Sequence, residues 1–178
     1  MSFNLATILH ESALAHPEAI LAQTPDGTWT YAQVEQQADN VAAGLRAQGL
    51  TPGDKVAVLL PNVIEFLFCH FGILKAGLVV VPLNPLLTAP EIAYHLSDSG
   101  ARLVVCGEAG APVAQRAAQD AGGIPVYAVS TGTEPLPTGV RPFADLLEPD
   151  APSILHPCSS DDTAVILYTS GTTGRPKG

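Results

Sequence analysis

The side chains best suited to chemistry are gathered in the last eleven residues, Tyr168-Thr-Ser-Gly-Thr-Thr-Gly-Arg-Pro-Lys-Gly178. Glycines let the backbone come close to an anion, hydroxyls and consecutive N–H groups donate to its oxygens, and Lys177 adds a positive charge on a flexible stem. Such a loop can hold a polyphosphate. The apolar run Thr163-Ala-Val-Ile-Leu-Tyr168 leads into it, so the loop is expected to follow a buried strand. It differs from the phosphate loop of kinases and GTPases: Pro176 stands five residues after Gly171 where that pattern needs glycine, and Gly178 follows Lys177 where it needs Ser or Thr.

Other chemistry-bearing residues carry less. Asp161-Asp162 reads as a polar turn ahead of the strand. His10, His16, His70, His95 and His156, and the pair His156-x-Cys158, have no zinc-ligand spacing and read as helix-face, loop or core residues. Tyr168 reads as a packing residue at the end of the sheet, with an indirect part in binding.

The elements that must position the loop can be read from punctuation. Thr30 with Gln33, Asn62 with Glu65, and Thr88 with Glu91 have the spacing of an N-cap whose third helical residue returns the hydrogen bond. They predict helices from Thr30 to near Gly49, from Val63 to Ala76, and from Ala89 to Ser99, the last two stopped by Gly77 and Gly100. A further helix is expected over Ala111 to Ala121. Short runs rich in Val and Leu at Val56 to Leu60, Leu78 to Val81 and Leu103 to Cys106, with a later one at Ile124 to Val129, read as strands covered on both faces. Ser130 to Val140 reads as an exposed loop. Alternating strands and helices predict an α/β fold with a mainly parallel sheet flanked by helices, and such sheets bind ligands at the carboxyl ends of their strands.

Composition bounds the partners. In 178 residues, 47% hydrophobic and 14% charged describe a folded chain, not a disordered one. A net charge of −9 with eight scattered basic residues argues against nucleic acid and anionic membrane surfaces. The apolar stretch Phe66 to Pro82 fails as a membrane span because His70 and Lys75 interrupt it and Gly77 and Pro82 punctuate it. Three cysteines without ligand spacing and the lack of a secretory signal point to the cytoplasm.

The terminal loop resembles the signature phosphate loop of the adenylate-forming superfamily, aromatic-T-S-G-T-T-G-x-P-K-G, with every position filled. Thr30-Tyr31, Gly53-Asp54-Lys55-Val56-Ala57, Leu74-Lys75-Ala76-Gly77 and Val81-Pro82-Leu83-Asn84-Pro85 resemble the family's upstream blocks in content and order. The likeness runs from about Thr30 to Gly178, leaving Ala109 to Ser160 without recognisable motifs. It is greatest to fatty-acyl and 4-coumarate-type acyl-CoA synthetases. Peptide-synthetase domains commonly have Ala-Tyr where this chain has Val79-Val80, Asp where it has Asn84, and Ser where it has Thr172.

The resemblance implies ATP-dependent activation of a carboxylic acid, fatty or aryl, to an acyl adenylate, followed by transfer to CoA. It implies that Thr169, Ser170, Gly171, Thr172 and Thr173 surround the phosphates, that Gly174 permits the turn, and that Lys177 reaches the departing pyrophosphate. Mg²⁺ is implied without an assigned ligand. Peripheral membrane contact stays open, because ligases of long acyl chains can collect substrate from a bilayer. Residues 1–178 are then the incomplete first part of the large N-terminal AMP-binding domain. The Tyr-Gly-x-[ST]-Glu motif, the acyl pocket, the hinge and the C-terminal domain with its adenylation lysine are not found, so no catalytic residue is assigned and the fragment by itself is expected to be inactive. The alternatives are an amino-acid adenylation domain and a truncated, non-catalytic binding module.

Overall fold

In a computed structural model, residues 3–130, 132, 135–169 and 178 are described. They fall into two compact units, one made of residues 1–53, 62–78 and 146–164, the other of residues 54–61, 79–145 and 165–178.

The first unit is mostly helical. It opens with α1 (Thr7–Ala15), followed by an antiparallel hairpin of β1 (Ile20–Thr24) and β2 (Gly27–Thr30). Neither was expected from the sequence. Only Leu9 and Ala13 of α1 are buried, and both hairpin strands are partly exposed, so no sustained apolar run announces them.

Thr30 ends β2 and caps α2 (Tyr31–Ala47) as its spacing predicts. Gln33 N–H donates to Thr30 Oγ1 at 3.3 Å, and Thr30 N–H donates to Gln33 Oε1 at 2.9 Å.

The pair Asn62 with Glu65 fails. Val63, extended at φ −119°, is the N-cap of α3 (Ile64–Lys75), and no side chain caps that helix. Asn62 thus stands one residue too early to reach the first-turn amides. Helices α2 and α3 pack closely because Gly72 lacks a side chain: a Cβ there would lie 2.7 Å from Val41 Cβ.

The second unit holds a five-stranded sheet of β3 (Lys55–Leu59), β4 (Val79–Pro82), β5 (Ala101–Gly107), β6 (Val126–Val129) and β7 (Val140–Pro142), with order β4-β3-β5-β6-β7. Every pairing is parallel. Alternate strand residues Ala57, Leu59, Val81, Val104, Cys106, Val126 and Ala128 join the core formed with α4 (Ala89–Ser99) and α5 (Ala111–Asp120). The intervening Val56, Val58, Val80, Val105 and Tyr127 are buried too. That double burial explains why the strands read as continuous Val-rich runs with no polar alternation.

Around this sheet local signals worked well. Glu91 accepts from Thr88 N–H at 2.8 Å and from its hydroxyl at 2.6 Å. Gly100 ends α4 in the left-handed conformation at φ 67°.

Several boundaries moved by one or two residues, β5 for example running from Ala101 to Gly107. Strand β6 starts at Val126, not Ile124, since Pro125 has no N–H to give a ladder. Val140–Pro142, which starts at the last residue of the expected loop, pairs with β6 as β7.

The run from Thr163 to Tyr168 is not a full strand. Val165 makes an isolated parallel bridge to Val80, with Ile166 N–H donating to the Val80 carbonyl at 2.9 Å. Residues 79 and 83 bond toward β3, through Val79 N–H to Asp54 O and Leu83 N–H to Val58 O. Val80 and, two residues on, Pro82 therefore face the incoming segment. Pro82 has no N–H, so the ladder along β4 is interrupted there.

Candidate functional site

The single rung is enough to set direction. Val165 runs parallel beside β4, an edge strand, so the chain advances toward the carboxyl end of the sheet as it reaches Tyr168 and Thr169. Open parallel sheets bind their ligands at that end. Of the expected site residues, Thr169 is described and is exposed at the end of this lead-in. Ser170, Gly171, Thr172, Thr173, Gly174 and Lys177 lie outside the described residues. Gly178 returns to the lead-in: a Cβ built on it would come within 2.8 Å of Ile166 Cγ2 and 2.9 Å of the Tyr168 ring. The two ends of the Gly/Thr/Ser loop therefore meet.

Tyr168 is tied to α4. Its hydroxyl donates to the Asp98 carboxylate at 2.7 Å, and its ring meets that of His95 edge-on, with centroids 4.3 Å apart. Burial, reinforced by the negative charge of Asp98, pushes the phenol up to about 12. His95 is 3% exposed, and neither ring nitrogen has a hydrogen-bond partner. Burial holds its imidazole below the usual range, so it is neutral at pH 7.

Sequence reasoning missed the polar cluster of the first unit. Lys75, fully buried at the end of α3, donates to Glu35 and to Asp39 Oδ1, the latter at 2.6 Å, and to Ser153 Oγ at 3.0 Å. His10 Nδ1 lies 2.7 Å from Glu35 Oε1. Burial raises the Asp39 carboxyl above its ordinary value, and the neighbouring Glu35 adds to this while Lys75 opposes it. The cluster borders a cavity of about 460 Å³ lined by residues including His10, Gln36, Asp150 and Ser153. One signal was available: Glu35 and Asp39 are four apart on α2, and Lys75 interrupts an apolar run, where a charge needs a partner.

The other sequence-stated residues fall into structural roles. Asp162 accepts the Ser159 N–H at 2.7 Å, closing the expected polar turn. Cys69 and Cys106 are free and buried, and burial pushes both thiols up, Cys106 to about 12, which leaves them unreactive. Among the described residues no group of three His, Cys, Asp or Glu side chains could hold a metal ion, and no helix is long and apolar enough to cross a membrane.

An α/β unit with a parallel sheet, and a lead-in along its edge strand toward the carboxyl end, has the architecture in which open sheets place ligands. The profile of the AMP-binding enzyme family matches residues 9–178, and the chain belongs to that family. It is 39% identical to the long-chain-fatty-acid–CoA ligase FadD13 of Mycobacterium tuberculosis over 98% of this chain and 34% of that protein. To the crotonobetaine/carnitine–CoA ligase of Escherichia coli it is 36% identical, over 92% of this chain and 33% of the relative. Among solved structures, an anthranilate CoA ligase, AuaEII, in complex with anthranoyl-AMP superposes with a TM-score of 0.91 at 27% identity, covering 99% of this chain and 34% of that one. The chain thus spans about a third of the length of the relatives it matches.

Proposed function

We propose that residues 1–178 supply the first part of the N-terminal AMP-binding domain of an acid:CoA ligase acting on a fatty or aryl carboxylic acid in the cytoplasm. The observation that carries this reading is the complete phosphate-loop motif starting at Tyr168, delivered along β4 toward the carboxyl end of a parallel sheet. The relatives named above are acid–CoA ligases, which supports the reaction class.

A carboxylate is a poor electrophile. In the proposed reaction its oxygen attacks the α-phosphorus of ATP, pyrophosphate leaves, and the acyl adenylate forms. The CoA thiol then attacks the acyl carbonyl, losing its proton, and AMP leaves with the electron pair of the broken C–O bond. The chain's part is to bind and orient the triphosphate. Thr169, Ser170, Gly171, Thr172 and Thr173 donate hydroxyl and amide hydrogens to its oxygens, Gly174 permits the turn, and Lys177 neutralises the departing pyrophosphate. Mg²⁺, when bound, would offset phosphate charge; the hydroxyl oxygens of this loop, including the exposed Thr169, are the hard donors it takes. By themselves the 178 residues turn over neither half-reaction, since the family's adenine-contacting and acyl-pocket motifs do not occur in them.

The test is to incubate the full gene product with ATP, CoA and a panel of fatty and aryl acids. The expected result is equal yields of AMP and acyl-CoA thioester with at least one of them. AMP formation with amino acids alone would replace this reading by that of an amino-acid adenylation domain.

A further inference from the structure

We propose that Tyr168 is a positioning residue, whose hold on α4 through Asp98 and the ring of His95 fixes the lead-in to the phosphate loop and is released when His95 takes up a proton. The role rests on the reading of the loop as a nucleotide site; the hold itself rests on geometry alone.

Tyr168 and Thr169 follow directly on the rung between Ile166 N–H and the Val80 carbonyl, and Pro82 has no N–H to give the next rung along β4. Among the described residues the rung at Ile166 is the one backbone hydrogen bond between the segment and the sheet. The Tyr168 hydroxyl adds a charge-assisted bond to Asp98 at 2.7 Å, and its ring adds the contact with His95. Side-chain contacts to α4 thus replace the missing ladder.

His95 makes the hold sensitive to pH. The groups facing it are Tyr168 from the lead-in and, from α4 itself, Tyr94, Glu91 and Asp98. Neither carboxylate is hydrogen-bonded to the ring and both nitrogens are buried without a hydrogen bond, so burial outweighs the main chain and carboxylate of Glu91 and the charge of Asp98, which favour the protonated form. A neutral imidazole tolerates this packing. An imidazolium has two N–H donors and a charge to solvate, and the Tyr168 contact is what stands over the ring. The sign follows from burial, which lowers the proton affinity of the ring in the closed state: the open state binds more protons. The hold is complete above the ordinary imidazole pKa of about 6.5 and weakens as pH falls below it.

Two readouts on the full gene product decide the matter. Amide hydrogen exchange at Ile166, corrected for intrinsic rate, should accelerate about tenfold in Tyr168→Phe and in Asp98→Asn, with no further gain in the double variant, because the two groups form one bond. Protection at Ile166 should fall between pH 7.5 and 5.5 in the parent and stay level in His95→Leu, which keeps bulk without titrating. Unchanged protection in the single variants, additive effects in the double, or the same pH response in His95→Leu would each overturn the hold. In steady-state assays, Tyr168→Phe should raise KM for ATP severalfold while kcat changes less. Accelerated exchange with unaltered KM would overturn the positioning role, and a gene product that forms no thioester with any acid would overturn the ligase reading while the exchange experiment still decides the hold.

Discussion

Both units bury apolar side chains, but their interiors differ in the charge they hold. In the sheet unit the core is Val, Ala, Leu and Ile contributed by alternate strand positions and by the inner faces of α4 and α5. In the helical unit, α1, α2, α3 and the segment after residue 150 converge on charge: Lys75 is fully buried between Glu35 and Asp39, with His10 and Ser153 completing the contacts. An apolar core tolerates exchange of similar volumes, since no atom in it needs a particular partner. A buried ion cluster is less forgiving, because removing one member leaves the others charged and dry. The same chain therefore has one unit whose loss of stability on mutation is graded by volume and another in which a charge cluster adds to an apolar core that includes Leu9, Val34, Val41, Leu45 and Ile73.

The sharpest way to break this contrast is Lys75→Met. It keeps the bulk and leaves Glu35 and Asp39 buried without their cation, and the expected cost is about 3–5 kcal/mol, read from the urea midpoint at pH 7. If the charges alone are responsible, Lys75→Met combined with Glu35→Gln and Asp39→Asn should recover most of the loss, since neutral side chains need no counter-ion. A triple variant as unstable as the single one would show that Lys75 matters for shape.

In the sheet unit the matching change is Ile92→Ala. Ile92 is 1% exposed and sits in the core between α4 and the sheet. The cost should be about 3 kcal/mol from lost transfer energy and the cavity left behind, without dependence on pH between 5 and 8. A pH-dependent loss at this site would contradict the division into an apolar and a charged core.

Acid titration compares the units more finely. His70 in the helical unit and His95 in the sheet unit are both held by burial below the ordinary imidazole range. Each is neutral when folded and takes up a proton on unfolding, so each contributes stability that is present above pH 6.5 and lost as pH falls below it. The urea midpoint should drop between pH 7.5 and 5.5. Replacing His70 and His95 one at a time by Leu should remove part of that drop in each case, and a drop unaltered by both replacements would place the proton uptake elsewhere.

What the sequence made legible follows the same division. The sheet unit was readable because its signals are local and repeated: Val-rich strands, the Thr88–Glu91 pair, and a glycine at residue 100 that only a left-handed helix end requires. Parallel pairing followed from the alternation of strands and helices, and the loop motif could be recognised from Tyr168 to Gly178 by residue type alone. The helical unit was harder. Lys75, Glu35 and Asp39 lie up to 40 positions apart, and neither spacing nor propensity says that they meet. The hairpin of Ile20–Thr24 and Gly27–Thr30 is exposed along much of its length and so lacks the alternation that announces a strand. At the candidate site, the Tyr168 contacts with Asp98 and His95 depend on α4 packing, which no motif encodes.

The smallest expected effect tests where local reading succeeded against where it failed. Thr88 and Asn62 carry the same helix-start spacing, Thr88 with Glu91 and Asn62 with Glu65. Only the first forms: Glu91 reaches back to Thr88, whereas α3 begins after Val63 with no side-chain cap. Thr88→Ala should therefore cost about 1 kcal/mol in the urea midpoint. Asn62→Ala should change it by less than about 0.5 kcal/mol, the range of a surface substitution away from any cap. Equal losses would mean that Asn62 caps its helix after all and that α3 starts one residue earlier than Ile64. A loss at Thr88 alone would show that the spacing is a necessary sign of a cap but not a sufficient one, because the backbone of the residue between decides which side chain can turn toward the free amides.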